Sequence, residues 1–400
     1  MLTLSEAQTA ICADIRAAKD FEYVALDQAC NRFVADSIVA FVDNPAFDNS
    51  AMDGYALRVA DLEGNGYALP LQGESRCGDA PGVLTPGTTM RIFTGAPLPN
   101  GADAVEIQEN IQNEQGKVAF PTDIKWDQNI RHKGEDYKSG EILFKKGHRI
   151  LPMDLGLLSS AGISKVPVFR RPRALVIATG DELVAPGMTL KPGQIYESNK
   201  LVTLSQLEAL GVEAVDGGNV QDDPQVLLEC LASTFEYDFV ITSGGASVGD
   251  HDVVKQVFSE IGSINFWRVK IKPGKPVAFG VIGEHTHFFA LPGNPMSSLV
   301  TFKLFVEPAI YAWNHDIFQQ LELNAIAAND YRRSPGRMEF LRARLFTEHG
   351  KLMAEVLPGQ GSHMLGTLRY TNGLIKVAED SEYFHQGDVV TAIPLRLNFN

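Results

Sequence analysis

The stretch TSGGASVGDHD, residues 242–252, follows the short apolar run FVI and leads into VVKQVFSEIG. In that second segment Val253, Val254, Val257, Phe258 and Ile261 recur at helical spacing. A strand that runs through glycines, hydroxyls and acids into a helix has the layout of a ligand-facing strand end. In open α/β sheets ligands sit beyond the carboxyl ends of the strands. Gly244 and Gly245 let the backbone turn sharply and come close to a ligand. Ser243 and Ser247 offer hydroxyls, and the following helix offers free N–H groups that favour anions. Asp250 and Asp252 either cap that helix or hold a divalent cation. The stretch is neither GxxxxGK[ST] nor GxGxxG, so it is not one of the two commonest phosphate loops.

Outward from this point the chain alternates strand and helix. ALVIATG (174–180) reads as a buried strand. SNKLVTLSQLEALG (198–211) reads as a helix, with Ser198 as N-cap, Gly211 as stop and Leu201, Leu204, Leu207 and Leu210 as its apolar stripe. VEAVDGGNV and DPQVLLECLASTFE supply another strand and helix before FVIT (239–242). Such alternation implies parallel pairing through crossovers, in an α/β domain at 171–325. Residues 46–145 have another texture: glycine and proline are frequent, and short runs such as MRIFTG and ADAVEIQEN lie between turn signals. They read as a β-rich inserted domain. Residues 1–45, helical then extended, join 146–170, with a helix at 152–162 and a strand at 165–170, as an N-terminal linking domain. From 326 to 400 the alternating runs MEFLRARLF, KLMAEVLP, NGLIKVAE and DVVTAIPLRL predict a small β-barrel.

Composition narrows the function classes. With 49 acidic against 35 basic residues the net charge is −14, which argues against a nucleic-acid scaffold or a membrane-surface binder. It leaves room for an anionic ligand held by a local cluster of donors. Cys12, Cys30, Cys77 and Cys230 show no CxxC spacing, so reduced and mostly buried thiols in a cytoplasmic protein are expected. MLTLSEAQTAICADIRAAKD mixes acids and bases with apolar residues, as an amphipathic helix does and a signal peptide does not. No apolar run approaches the roughly 20 residues of a membrane span.

Three further stretches belong with the opening one. ATGDEL (178–183) ends a strand, which places Asp181 and Glu182 on the same rim as Asp252. KIKPGKP (270–276) gathers Lys270, Lys272 and Lys275 around a glycine and two prolines, positive charge on a stiffened loop suited to phosphate or another oxyanion. LPGNPMSS (291–298) follows the apolar run HFFAL; Gly293 and Asn294 tolerate tight geometry, Pro292 and Pro295 fix it, and Ser297 is a candidate cap for the next helix. Acids on one side and lysines on the other suggest a metal-assisted reaction on a phosphorylated or oxyanion substrate.

Taken in order, FDNSAMDGYAL (47–57), RIFTGAPLPNGADAVE (91–106), NIRHKGEDYKSGE (129–141), ATGDEL, YESNK (196–200), TSGGASVGDHD, KIKPGKPVAFG and LPGNPMSS resemble the molybdopterin molybdenumtransferase (MoeA) family, which includes the gephyrin E domain. The resemblance spans nearly the whole chain. It implies a multidomain α/β plus β fold whose 171–325 part is a three-layer α/β/α molybdopterin-binding domain. It also implies a reaction: molybdate is inserted into adenylylated molybdopterin and AMP is released, with Mg²⁺ assistance. By resemblance Glu182 and Asp252 are metal-side carboxylates, and Asp53, Thr94 and Asp136 are functional residues. Lys272, Lys275 and Ser297 belong to a molybdate pocket shaped by Pro292 and Pro295, with Arg342 and Ser362 contributed from the C-terminal domain. Arg268 stands where the family often has lysine, which keeps the charge and changes the donor geometry. The loop reads DHD where other members often have other residues before the final aspartate, which leaves the role of Asp250 open between ligating the metal and repelling phosphate.

The family forms homodimers with shared active sites. This is how Asp53 and Asp136 would reach a site built on strand ends. Molybdopterin adenylyltransferase and apo-molybdoenzymes or their chaperones are the expected exchange partners, with neither nucleic acid nor membrane involved. Two other readings compete: an adenylyltransferase of the neighbouring step, and a non-catalytic gephyrin-like scaffold.

Overall fold

The run ALVIAT folds as Arg173–Thr179, an interior strand of a six-stranded sheet in a computed structural model that describes residues 1–114, 116–221, 223–244, 257 and 261–396. Contacts divide the chain into two units: Met1–Glu22, Asn31–Phe33 and Phe169–Asn400 form one, Tyr23–Cys30 and Val34–Val168 the other.

In the first unit the strand order is Glu213–Val220, Arg173–Thr179, Phe239–Ser243, Thr286–Leu291, Pro276–Ile282, Gly262–Arg268. The first four are parallel. Pro276–Ile282 runs antiparallel to both its neighbours, Thr286–Leu291 and Gly262–Arg268, which corrects the expectation of parallel pairing throughout. The reason is local: only residues 283–285 join Pro276–Ile282 to Thr286–Leu291, far too few for a crossover. Helix Asn199–Ala209 carries the chain outward from Arg173–Thr179 to the sheet edge, and helix Pro224–Ala232 carries it back past that strand to Phe239–Ser243. Right-handed crossovers in opposite directions set these helices on opposite faces. On one face Leu227 and Leu231 pack with Leu175, Ile177, Val240 and Phe288.

Helix ends follow the local chemistry, not always as expected. Ser198 is the N-cap residue of Asn199–Ala209 without making a cap bond; the Glu197 carboxylate accepts the Lys200 N–H at 2.6 Å instead. The stripe of that helix is Thr203, Leu207 and Leu210, whereas Leu201 is 62% exposed. In Pro295–Thr301 the cap position falls on Asn294, and Ser297 lies buried inside the helix, so Ser297 is not the cap. Pro308 has no N–H to give the Leu304 carbonyl four residues back, and Gln8 Nε2 donates to that carbonyl at 3.0 Å. This contact ties the N-terminal helix Leu4–Asp14 to the same body. The helix expected after residue 252 lies outside the described residues, apart from buried Val257 and partly buried Ile261.

The C-terminal strands close on themselves. Met338–Glu348 pairs with Lys351–Val356, that with Leu323–Ala327, that with Val389–Pro394, that with Gly373–Val377, and that with Met338–Glu348 again, a five-stranded barrel. Leu341, Ala343 and Leu345, two apart along one strand, point into its core with Ile375 and Ala392. The short strand Ile271–Lys272 adds to Met338–Glu348 in parallel, with Lys272 opposite Glu339.

The second unit holds another six-stranded sheet, ordered Ala104–Ile107, Gly54–Leu57, Thr89–Ile92, Ala68–Ser75, Lys117–Ala119, Gln112–Glu114. Leu57, Leu69, Ala104, Val118 and Phe120 form one of its cores; Val34, Ile38, Leu158, Val166 and Val168 form another.

The thiols depart from expectation: Cys12 and Cys77 are exposed, Cys30 and Cys230 intermediate, and all four are free. Among the described residues no helix is long and apolar enough to cross a membrane.

One buried histidine makes the first unit acid-sensitive. His287 is 1% exposed, its Nε2 accepts the Arg16 N–H at 3.1 Å, and burial pushes its pKa from 6.5 down to about 4. The depressed value means that the unfolded chain takes up this proton first, so stability is lost as pH falls from 6.5 towards 4. The loss amounts to roughly 3 kcal/mol at 1.36 kcal/mol per pKa unit. Urea unfolding of the wild type and His287→Gln at pH 7.5 and 4 should show that the wild type loses about that much more than the variant. Equal losses would remove His287 as the cause.

Candidate functional site

Ala178 lies opposite Ser243, and Ser243 opposite Leu291, so three adjacent parallel strands end at one level. Strand order also reverses around Arg173–Thr179, the kind of place where open α/β sheets bind ligands. A cavity of about 630 Å³ opens there, lined among others by Thr179, Glu182, Tyr196, Asn199, Ser243, Gly244, Pro292, Gly293, Pro295 and His363. Gly244 is required by its place: its φ is +99°, and an added Cβ would lie 2.6 Å from the Thr179 carbonyl oxygen. Its N–H donates to the Leu291 carbonyl at 3.1 Å, locking two strand ends together. Asn199 Nδ2 donates to the Gly293 carbonyl at 2.8 Å, which joins the YESNK and LPGNP segments.

Two groups at this cavity have no partner among the described residues. Thr179 Oγ1 is buried and unpaired among the described residues. The Glu182 carboxylate is exposed and likewise forms no hydrogen bond or ion pair among them. It folds back over Gly180, where an added Cβ would stand 2.6 Å from Glu182 Oε2. Asp181, its neighbour, is exposed.

Of the predicted site residues, Glu182, Ser243, Gly244, Pro292 and Pro295 come together here. Gly245, Ser247, Asp250 and Asp252 lie outside the described residues. Arg268, Lys272, Lys275, Ser297, Arg342 and Ser362 are not part of this lining. Lys275 directly precedes Pro276, which is part of it, and exposed Arg268 ends the strand Gly262–Arg268. Lys272 Nζ instead meets Glu339 Oε1 at 2.7 Å.

Arg342 and Ser362 act on the cavity through the backbone. The Arg342 guanidinium, 2% exposed, donates to the carbonyls of Gly359 and Gly361, and burial pulls its pKa below the ordinary value. Gln360 clasps the same place, donating to the Arg342 carbonyl at 2.9 Å and accepting the Arg342 N–H at 3.0 Å. The Ser362 carbonyl accepts the Met296 N–H at 3.0 Å. The loop so pinned supplies His363 and Leu365 to the cavity.

In the second unit Asp53 and Thr94 are partners. Asp53 Oδ1 accepts the Thr94 N–H at 2.7 Å and the Thr94 hydroxyl at 2.8 Å. These bonds, the backbone one first, hold the exposed Asp53 carboxyl below its ordinary value, so it is a carboxylate at neutral pH. Gly54, next to Asp53, lets its strand lie close against Ala104–Ile107: a Cβ there would stand 2.0 Å from the Glu106 carbonyl oxygen. Asp136 is exposed and accepts from Asn44 Nδ2 at 2.8 Å.

Sequence reasoning missed Thr179, Asn199, Glu339, Gln360 and His363. Asn199 sat inside the quoted YESNK, and an acid between apolar neighbours in MEFLRAR was a signal for Glu339. Nothing in the spacing marked Gln360 or His363. Among the described residues no group of three or more His, Cys, Asp or Glu is set to hold a metal.

Three family models match the chain in order: the MoeA N-terminal region (domain I and II) over residues 2–162, a probable molybdopterin binding domain over 175–312, and the MoeA C-terminal region (domain IV) over 324–395. The chain is 37% identical to the molybdopterin molybdenumtransferase of Haemophilus influenzae, with 98% of each covered. It is 34% identical to molybdopterin molybdenumtransferase 2 of Mycobacterium tuberculosis, over 95% of this chain and 96% of that one. Among solved structures it is similar to the molybdopterin biosynthesis MoeA protein of Pyrococcus horikoshii, with 30% identity, a TM-score of 0.84, and 98% and 100% coverage.

Proposed function

The chain belongs to the molybdopterin molybdenumtransferase (MoeA) family, and from that premise we propose that it inserts molybdate into adenylylated molybdopterin with release of AMP. It is an enzyme of this type, working in molybdenum cofactor biosynthesis. The observation that supports the finer reading is the strand-end cavity, where a carboxylate and a buried hydroxyl have no partner among the described residues beside a glycine that lets two strand ends come close.

The donor chemistry suits Mg²⁺, a hard cation that takes oxygen ligands. Glu182 is the described half of the proposed pair; Asp252 supplies the other. Held there, the ion would neutralise charge developing on a pyrophosphate under cleavage. Thr179 and Ser243 orient the substrate at the strand ends, and Pro292 and Pro295 shape the wall opposite. Lys272, Lys275, Arg268 and Ser297 make the oxyanion pocket, and Arg342 and Ser362 contribute by fixing the loop that carries His363 and Leu365 to the cavity. Asp53, held ionised by Thr94, and Asp136 act on the partner subunit's site in a cytoplasmic homodimer. The four-part division at 1–45 with 146–170, 46–145, 171–325 and 326–400 goes with this arrangement. Matches at both ends of the chain, outside the α/β region, set aside the adenylyltransferase reading.

The test supplies purified protein with adenylylated molybdopterin, molybdate and Mg²⁺. AMP release that requires molybdate, together with molybdenum cofactor able to reconstitute an apo-molybdoenzyme, is the expected result. Adenylylation of molybdopterin from ATP, without insertion, would overturn the proposal. A fully active monomer in light scattering would overturn the shared-site arrangement alone.

A further inference from the structure

Glu339 is a carboxylate where a barrel strand would ordinarily carry an apolar residue. It is 2% exposed, and its carboxylate meets two cations and a hydroxyl. Arg333 Nη1 reaches Oε2 at 3.3 Å, the Tyr331 hydroxyl donates to Oε1 at 3.4 Å, and Lys272 Nζ lies 2.7 Å from Oε1. Arg333 is itself immobilised, donating to the carbonyls of Arg337, Ser381, Ala378 and Glu379. The carboxylate is therefore fixed from the barrel side and presents one oxygen to the lysine loop. Backbone pairing delivers the lysine to it: Lys272 stands opposite Glu339 in register, and the Met338 N–H donates to the Lys270 carbonyl at 3.0 Å.

The two partners differ in solvation. Glu339 is sealed, whereas the Lys272 side chain is half exposed. An ammonium carries three N–H donors, so one bond to Glu339 leaves others for an incoming anion. We propose that Glu339 is a positioning residue that acts through Lys272: it fixes the ammonium in place and lowers the net positive charge with which the pocket meets an oxyanion. The inference rests on the proposed role of Lys272 in oxyanion binding. A pocket built this way holds its donor pre-oriented, which favours turnover, and binds a tetrahedral dianion less tightly than a bare lysine would, which favours release.

Glu339→Gln keeps the shape and removes the charge. Its kcat for molybdenum insertion should fall about tenfold while the KM for molybdate stays level or drops. A purely structural role would lower the folded fraction and leave both constants of the folded enzyme alone. In a Lys272→Gln background the same change should alter kcat by less than about twofold, because the lysine through which it acts is gone. Independent, multiplying losses in the two variants would overturn the inference. Should Glu339→Gln not fold, Glu339→Asp keeps the charge and withdraws it by one methylene. A smaller kcat loss that again vanishes without Lys272 supports the inference, and wild-type kcat overturns it. A wild-type chain that inserts no molybdenum would sink the functional reading instead, so the two failures are distinguishable.

Discussion

Glu182→Gln should lower the rate of molybdenum insertion by on the order of a hundredfold or more, the usual scale for removing one group that stabilises developing charge. The substitution keeps the side chain's size and hydrogen-bonding oxygen and deletes only its charge. Since the carboxylate forms no bond or ion pair among the described residues, the folded state has little to lose, and unfolding free energy should stay within about 0.5 kcal/mol of wild type. If the carboxylate holds Mg²⁺, the concentration of Mg²⁺ needed for half-maximal rate should rise in the variant, and excess Mg²⁺ should restore part of the activity. A variant with wild-type rate at low Mg²⁺ would remove Glu182 from the site.

Gly244→Ala should fail in the opposite way, through structure first. A methyl group at 244 would meet the Thr179 carbonyl oxygen at 2.6 Å and Oγ1 at 2.7 Å, on a backbone whose φ of +99° already disfavours any side chain. The clash falls on backbone at the end of the neighbouring strand, which cannot swing aside as a flexible side-chain tip can. Strain and overpacking together should cost about 3 kcal/mol, read by urea unfolding, and should abolish insertion by splaying the strand ends. Gly293→Ala is the control. Its added Cβ would find its nearest atom 3.7 Å away, at Gly244 Cα, so a loss below about 1 kcal/mol is expected. Equal effects at the two positions would refute the close-approach argument.

What could be read in the sequence was set by local rules. Glycines, hydroxyls and acids at 242–252 and 178–183 marked strand ends because a turning backbone and a ligand both need them there, and Thr179, Ser243 and Gly244 do share one level. The proline-rich LPGNPMSS segment did come to the same cavity. What escaped depended on partners far along the chain. Lysines in KIKPGKP read as a free positive cluster, yet Lys272 already has a buried acid from the barrel beside it. The resemblance gave Arg342 to the anion pocket, and its guanidinium is engaged by loop carbonyls. The leucine stripe misjudged Leu201, since spacing gives the period of a helix but not how far round the neighbouring layer reaches. The antiparallel half of the central sheet was hidden for a different reason: KPVAFG and HFFAL were read for their loops, not as two arms of a hairpin.

The ring of C-terminal strands limits how other molecules can attach to it. Each of its five strands has a hydrogen-bonded neighbour on both sides, so the described ring leaves an extended peptide little open edge to zip onto. A protein that docks on the ring would grip mainly side chains, and its selectivity would follow surface residues that can vary freely while the closed ring beneath stays the same.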